Sequence, residues 1–112
     1  MTMITEAQLK VYADYIEKDY AKGYPDGVIP ENMVNLRQVV SWKRGSKFIK
    51  VITGYPDGHG RSVHSFIAAN EKSGWPVGTI LKPASWSAPA QNFSRGNIVE
   101  VDFSRVRWTG AQ

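Results

Sequence analysis

His59 and His64 are the side chains of this chain best suited to acid–base or metal chemistry, with Asp57, Glu100 and Asp102 as the carboxylates that could serve them. A serine and an acid brought to one of these histidines would be the raw material of nucleophilic catalysis. No G-x-S-x-G turn that would expose such a serine is present. Two histidines five positions apart, with no third ligand at a recognisable interval, do not make a zinc set. There is no cysteine, which removes thiolate nucleophiles, thiolate metal sites and disulfides together. Neither G-x-x-x-x-G-K-[ST] nor G-x-G-x-x-G is present, so no glycine-rich phosphate loop is expected. His59, set between Gly58 and Gly60, reads as a turn residue, and His64 as a strand residue that needs a hydrogen-bond partner. The chemistry-bearing residues therefore predict no catalytic centre, no metal and no cofactor. An enzyme using His64 with Asp57 or Asp102 is the weakest of three readings.

Cationic and aromatic residues give a stronger signal. Residues 1–42 carry four Lys/Arg against six Asp/Glu, and residues 43–112 carry ten against four, so a slightly acidic start precedes a basic remainder. Lys43, Arg44, Lys47 and Lys50 cluster about one turn, where phosphate groups would be attracted. The same charges also suit a solvated turn whose lysines protect a sheet edge. A second cluster runs through Lys82-Pro83-Ala84-Ser85-Trp86-Ser87-Ala88-Pro89-Ala90 to Arg95. A tryptophan held between prolines and flanked by cations can stack on an unpaired base or anchor a protein partner. It can equally close the core from one side. Arg105 and Arg107, with Trp108 beside them, could add to the same surface.

These residues need a scaffold, and most of it can be read. Thr5 and Gln8 have the spacing of a capping box, and Ile4 and Leu9 that of a hydrophobic staple. Leu9, Tyr12, Ile16 and Tyr20 recur at helical spacing, which predicts a helix over 5–22 with Gly23 as its C-cap. GYPDG occurs at 23–27 and again at 54–58 as two turns. Residues 33–42 fit two templates: Val34, Leu36, Val40 and Trp42 alternate, while Met33, Leu36 and Val40 share a helical face. The β-rich run 47–53 after the turn at 43–46 favours a hairpin of 36–42 with 47–53. Further strands are expected at 62–68, 77–82 and 96–103, with the two-proline stretch 83–90 as a loop over the sheet. The expected fold is α+β, one domain over 1–112, with the N-terminal helix packed on an antiparallel sheet of about four or five strands. The 42% hydrophobic content, with four Trp, five Tyr and four Phe, is enough for one core and argues against disorder.

In the region 47–98 the pieces Lys47-Phe48-Ile49-Lys50-Val51, Arg61-Ser62-Val63-His64-Ser65-Phe66-Ile67, Leu81 to Ala90 and Arg95-Gly96-Asn97-Ile98 follow in a specific order and spacing. In these the chain resembles small uncharacterised proteins of tailed bacteriophages. That family often has Gly-Asp ahead of the Lys-Pro segment, where this chain has Gly78-Thr79. The resemblance implies a phage product acting in the cytoplasm of a bacterial host. The N-terminus has no signal-peptide pattern and no run is long enough to span a bilayer, so a soluble protein with no membrane partner is expected. The leading functional expectation is an accessory protein that binds DNA or RNA, or a complex containing it, through Lys43, Arg44, Lys47, Lys50, Lys82 and Arg95, with Trp86 packing or stacking. The alternative is a module that grips a host enzyme or a virion protein through the Trp86 loop.

Overall fold

Thr5 starts the one α-helix among the described residues, and both arms of the capping box are made. The Gln8 amide donates to Thr5 Oγ1 at 3.1 Å, and the Thr5 amide donates to Gln8 Oε1 at 2.9 Å. In the computed structural model, which describes residues 3–112 with the side chains of 34–36 left aside, this helix, α1, runs Glu6–Ala21. Its apolar stripe of Leu9, Tyr12, Ala13 and Ile16 is buried. The helix closes at Lys22 in ordinary right-handed geometry. The expected Gly23 cap is thus displaced by one residue, and Gly23 only donates its amide to Tyr20.

Four strands follow as an antiparallel meander in the order β1-β2-β3-β4: Val39–Arg44, Phe48–Gly54, Ser62–Ala68 and Ile80–Leu81. A small separate hairpin, β5 Val106–Arg107 with β6 Gly110–Ala111, ends the chain. The expected α+β arrangement, one helix on an antiparallel sheet, is therefore present. The ambiguous segment divides between its two templates: Glu31–Leu36 is a 3-10 helix, and the strand begins only at Val39. The side chains of Val34 and Leu36, on which part of that reading rested, lie outside the described residues.

Strand alternation assigns each sheet face a job. Ile49, Ile67 and Ile80 are aligned across β2, β3 and β4, and all are fully buried with Val51 in the cluster that packs on α1. Ile98, Phe103, Val106 and Ala111 complete that cluster from the C-terminal segment. Burying side chains of this size is worth about 1.5–3 kcal/mol each. The neighbouring row, on the other face, reads Lys43, Lys50, Phe66 and Leu81 across the four strands.

Two strand expectations fail. The 77–82 strand shrinks to Ile80–Leu81. The strand expected at 96–103 is instead a closed turn in which Asn97 pairs with Asp102. Asn97 Oδ1 accepts the amides of Val99 and Glu100 at 2.8 and 3.3 Å, an Asx-type turn that competes with extension. Gly96, at φ +133°, permits the closure, since a Cβ there would lie 2.3 Å from the Asp102 carbonyl oxygen. Val101 pays with a left-handed φ of +54°, an uncommon conformation for a β-branched residue.

Candidate functional site

His64 and its neighbour Ser65 are built into the core. Register slips between Val51 and Ile52 of β2, so β3 carries one unpaired residue, His64, between Val63 and Ser65. This β-bulge turns His64 and Ser65 to the same side, toward Tyr12 of α1. Tyr12 Oη lies 2.7 Å from Ser65 Oγ, Ser65 Oγ lies 2.8 Å from His64 Nδ1, and His64 Nε2 lies 2.6 Å from the Arg107 carbonyl oxygen. A carbonyl can only accept, so Nε2 carries the proton and Nδ1 is the acceptor. Ser65 must then donate to Nδ1 and accept from Tyr12. The chain of hydrogen bonds has one direction and leaves no member unsatisfied. Tyr12, Ser65 and His64 are all buried, and desolvation pulls the His64 pKa below its ordinary value and pushes the Tyr12 pKa up. Such a buried, neutral relay binds β3 to α1 and the terminal hairpin.

His59 and Asp57 pair with each other on an exposed turn, where the His59 ring stacks on Tyr55. The His59 backbone amide and ring hold the Asp57 carboxyl below the usual range. No group of three His, Asp or Glu that could hold a metal occurs among the described residues. No helix there is long and apolar enough to cross a membrane.

The cationic residues separate by strand parity. Lys43 and Lys50 face each other directly across β1 and β2 on the sheet face away from α1. Together with Lys47, Phe48, Phe66 and Ser87 they line an open groove of about 330 Å³. Trp86 stands at its side, 50% exposed, with the Lys50 ammonium 4.7 Å from its ring centroid. That cation–π contact is worth about 0.5–1 kcal/mol at such an exposed site. None of Lys43, Lys47, Lys50 and Lys82 has a carboxylate partner among the described residues. Like charges placed directly opposite in a sheet repel.

Arg44 belongs to the other face. Its Nε and Nη2 donate to Glu6 Oε1 at 3.2 and 3.1 Å, and Nη2 also donates to the Ile4 carbonyl at 2.9 Å. Trp42 takes the second Glu6 oxygen through Nε1 at 2.9 Å. Arg44 is among the residues that line the groove, but its guanidinium is held by Glu6 and the Ile4 carbonyl and clamps β1 to the start of α1. Lys82 is exposed at the base of the Trp86 loop and does not line the groove. Arg95 is buried in a different pocket with Arg105. Trp108 leans edge-on against Tyr20, with its amide on Asp19, so the tail does not join the lysine groove.

The Trp86 loop itself is firmly closed. Pro83 and Pro89 pair as a bridge, Ala84 and Ser85 both donate to the Ala88 carbonyl at 3.0 and 3.1 Å, and Ala90 donates to the Lys82 carbonyl at 2.7 Å. The sequence marked this loop through its prolines. It could not show that Lys50, from β2, would meet the ring.

No curated protein and no solved structure matches the chain. A family model does match, over residues 2–111, nearly the whole length. The protein belongs to the family of unknown function DUF7717.

Proposed function

We propose that this protein binds nucleic acid, or a complex containing it, through the groove of Lys43, Lys47 and Lys50 with Trp86 at its side, and that it does so without catalysis. One observation carries the reading: unpaired lysines are set against each other across two strands, next to a half-exposed tryptophan. That arrangement costs folding energy in the free protein and is relieved by a polyanion. A phosphate backbone in the groove would bring the ammonium groups their missing counter-charge. The open face of Trp86 would accept an unpaired base by stacking, which favours single strands over duplex. The resemblance to small tailed-phage proteins belongs to the same proposal and sets the activity in the cytoplasm of an infected bacterium.

The test is an anisotropy titration with single- and double-stranded DNA and RNA over a range of salt. For a single strand, each neutralised phosphate contributes about −0.7 to the slope of log affinity against log salt, so three lysines predict a slope of about −2. Absence of binding at low salt, or binding that ignores salt, would eliminate the proposal.

A second reading has support from the closure of the Trp86 loop. A rigid aromatic presented at little entropic cost is also what a protein-binding hot spot needs. A partner captured by the protein and retained after nuclease treatment, with little salt dependence, would favour that alternative.

A further inference from the structure

Lys43 of β1 and Lys50 of β2 stand directly opposite each other on one sheet face, which sets their Cβ atoms about 5 Å apart. At that separation two long flexible arms, each ending in a compact charge, can close on a single phosphate from both sides. Neither lysine has a carboxylate partner among the described residues, and no acid lines the groove. Ser46, from the β1–β2 turn, and Ser87, from the Trp86 loop, line it as well. Among the described residues both serines are engaged only through their backbones, by Asn70 and Ser85, so their hydroxyls remain able to donate.

Charge decides what suits this seat. An internucleotide phosphate carries one negative charge, whereas a terminal phosphate monoester carries close to two at neutral pH. Two opposed ammonium groups match the monoester and exceed the diester. Size points the same way, because a groove of about 330 Å³ is on the scale of one nucleotide and not of a run of them. The floor is apolar, with Phe48 meeting Phe66 edge-on at a centroid distance of 6.4 Å. Trp86 supplies a stacking face next to the seat, since the Lys50 ammonium lies 4.7 Å from its ring centroid. The last base of a strand has one face without a neighbour, which a lone aromatic can cover. A base within the strand must first be drawn away from its neighbours.

We propose that the lysine groove is a seat for the phosphorylated end of a single strand. The terminal phosphate monoester lies between Lys43 and Lys50, with Ser46 and Ser87 as further donors. The terminal base stacks on Trp86, and Lys47 is left for the next phosphate of the chain. The inference rests on the nucleic-acid reading of this groove and narrows it from strands in general to strand ends.

The test is an anisotropy titration of the intact protein, at one fixed salt concentration, with three internally labelled single strands of the same sequence. One ends in a 5′-phosphate, one in a 3′-phosphate, and one in hydroxyls at both ends. A phosphorylated strand should bind about three- to tenfold more tightly than the hydroxyl-ended one, the gain expected when one added charge meets two exposed ammonium groups. The arm that shows the gain identifies which end is seated. Lys43→Gln leaves Trp86 and its Lys50 contact in place, and should reduce the preference to less than about twofold. Equal affinity for all three strands overturns the inference while the broader reading stands, and so does a preference that survives in Lys43→Gln. Absence of binding to any of the three removes the nucleic-acid reading and this inference with it.

Discussion

The two faces of the sheet treat polar groups in opposite ways. On the α1 side, Tyr12, Ser65, His64 and the Arg107 carbonyl form a closed relay in which every donor has an acceptor. On the far side, Lys43 and Lys50 confront each other without an acid. A satisfied buried network stabilises and specifies a fold, whereas an unsatisfied exposed one is tolerated only at small cost and is open to a partner. His64 lies in the closed arrangement, and Lys43 and Lys50 in the open one.

The largest expected effect comes from breaking the relay at its centre. Ser65→Ala strands the Tyr12 hydroxyl and the His64 Nδ1 together, and should cost roughly 2–4 kcal/mol by denaturant unfolding, about one to two buried unsatisfied groups. Tyr12→Phe removes only the outer link and should cost about 1 kcal/mol. A loss as small for Ser65→Ala would mean that the relay is not closed as described.

Acid attacks the same region. The folded-state pKa of His64 is depressed by burial. The unfolded chain therefore takes up the proton first as pH falls below about 6.5, and stability declines from there down to the folded-state value. Above that window His64 contributes no pH dependence. Thermal melts of the wild type minus those of His64→Gln should isolate this decline, because carboxylate titrations are common to both. An identical pH profile in the two proteins would contradict the neutral, sealed imidazole.

The turn at 96–102 offers a smaller effect of opposite sign. Asn accepts a left-handed backbone more readily than a β-branched residue, so Val101→Asn should gain up to about 1 kcal/mol, read as a rise in melting temperature. A destabilised variant would indicate that the exposed Val101 side chain supports the fold.

How much of this was readable from sequence follows the range of the interactions. The helix was legible because Thr5, Gln8 and the Leu9–Tyr12–Ile16 spacing are local signals that agree. Strand β2 was legible from its β-branched run, Ile49, Val51, Ile52 and Thr53. The 96–103 segment misled because its alternation of apolar and acidic residues fits a strand, while Asn97 and Gly96 carry turn chemistry that the alternation obscures. The structure sides with the turn: Val99 and Val101 are exposed. Arg44 was grouped with Lys43 by proximity in sequence, although neighbouring strand residues face opposite ways and Glu6 stands ready on the helix side. The bulge at His64 left no trace in the sequence, because it exists only in the pairing of two strands. Arg95 likewise looked like one more surface cation until the fold enclosed it.

The proposed division of labour, stability on one face and recognition on the other, is tested most directly by the double variant Lys43→Gln/Lys50→Gln. Its unfolding free energy should stay within about 1 kcal/mol of the wild type, since relief of the Lys43–Lys50 repulsion offsets loss of the Lys50–Trp86 contact. In the same preparation its affinity for single-stranded nucleic acid should fall, with the salt slope shallower by about 1.4 for two lost phosphate contacts. Unchanged affinity and slope in a fully folded variant would contradict the account.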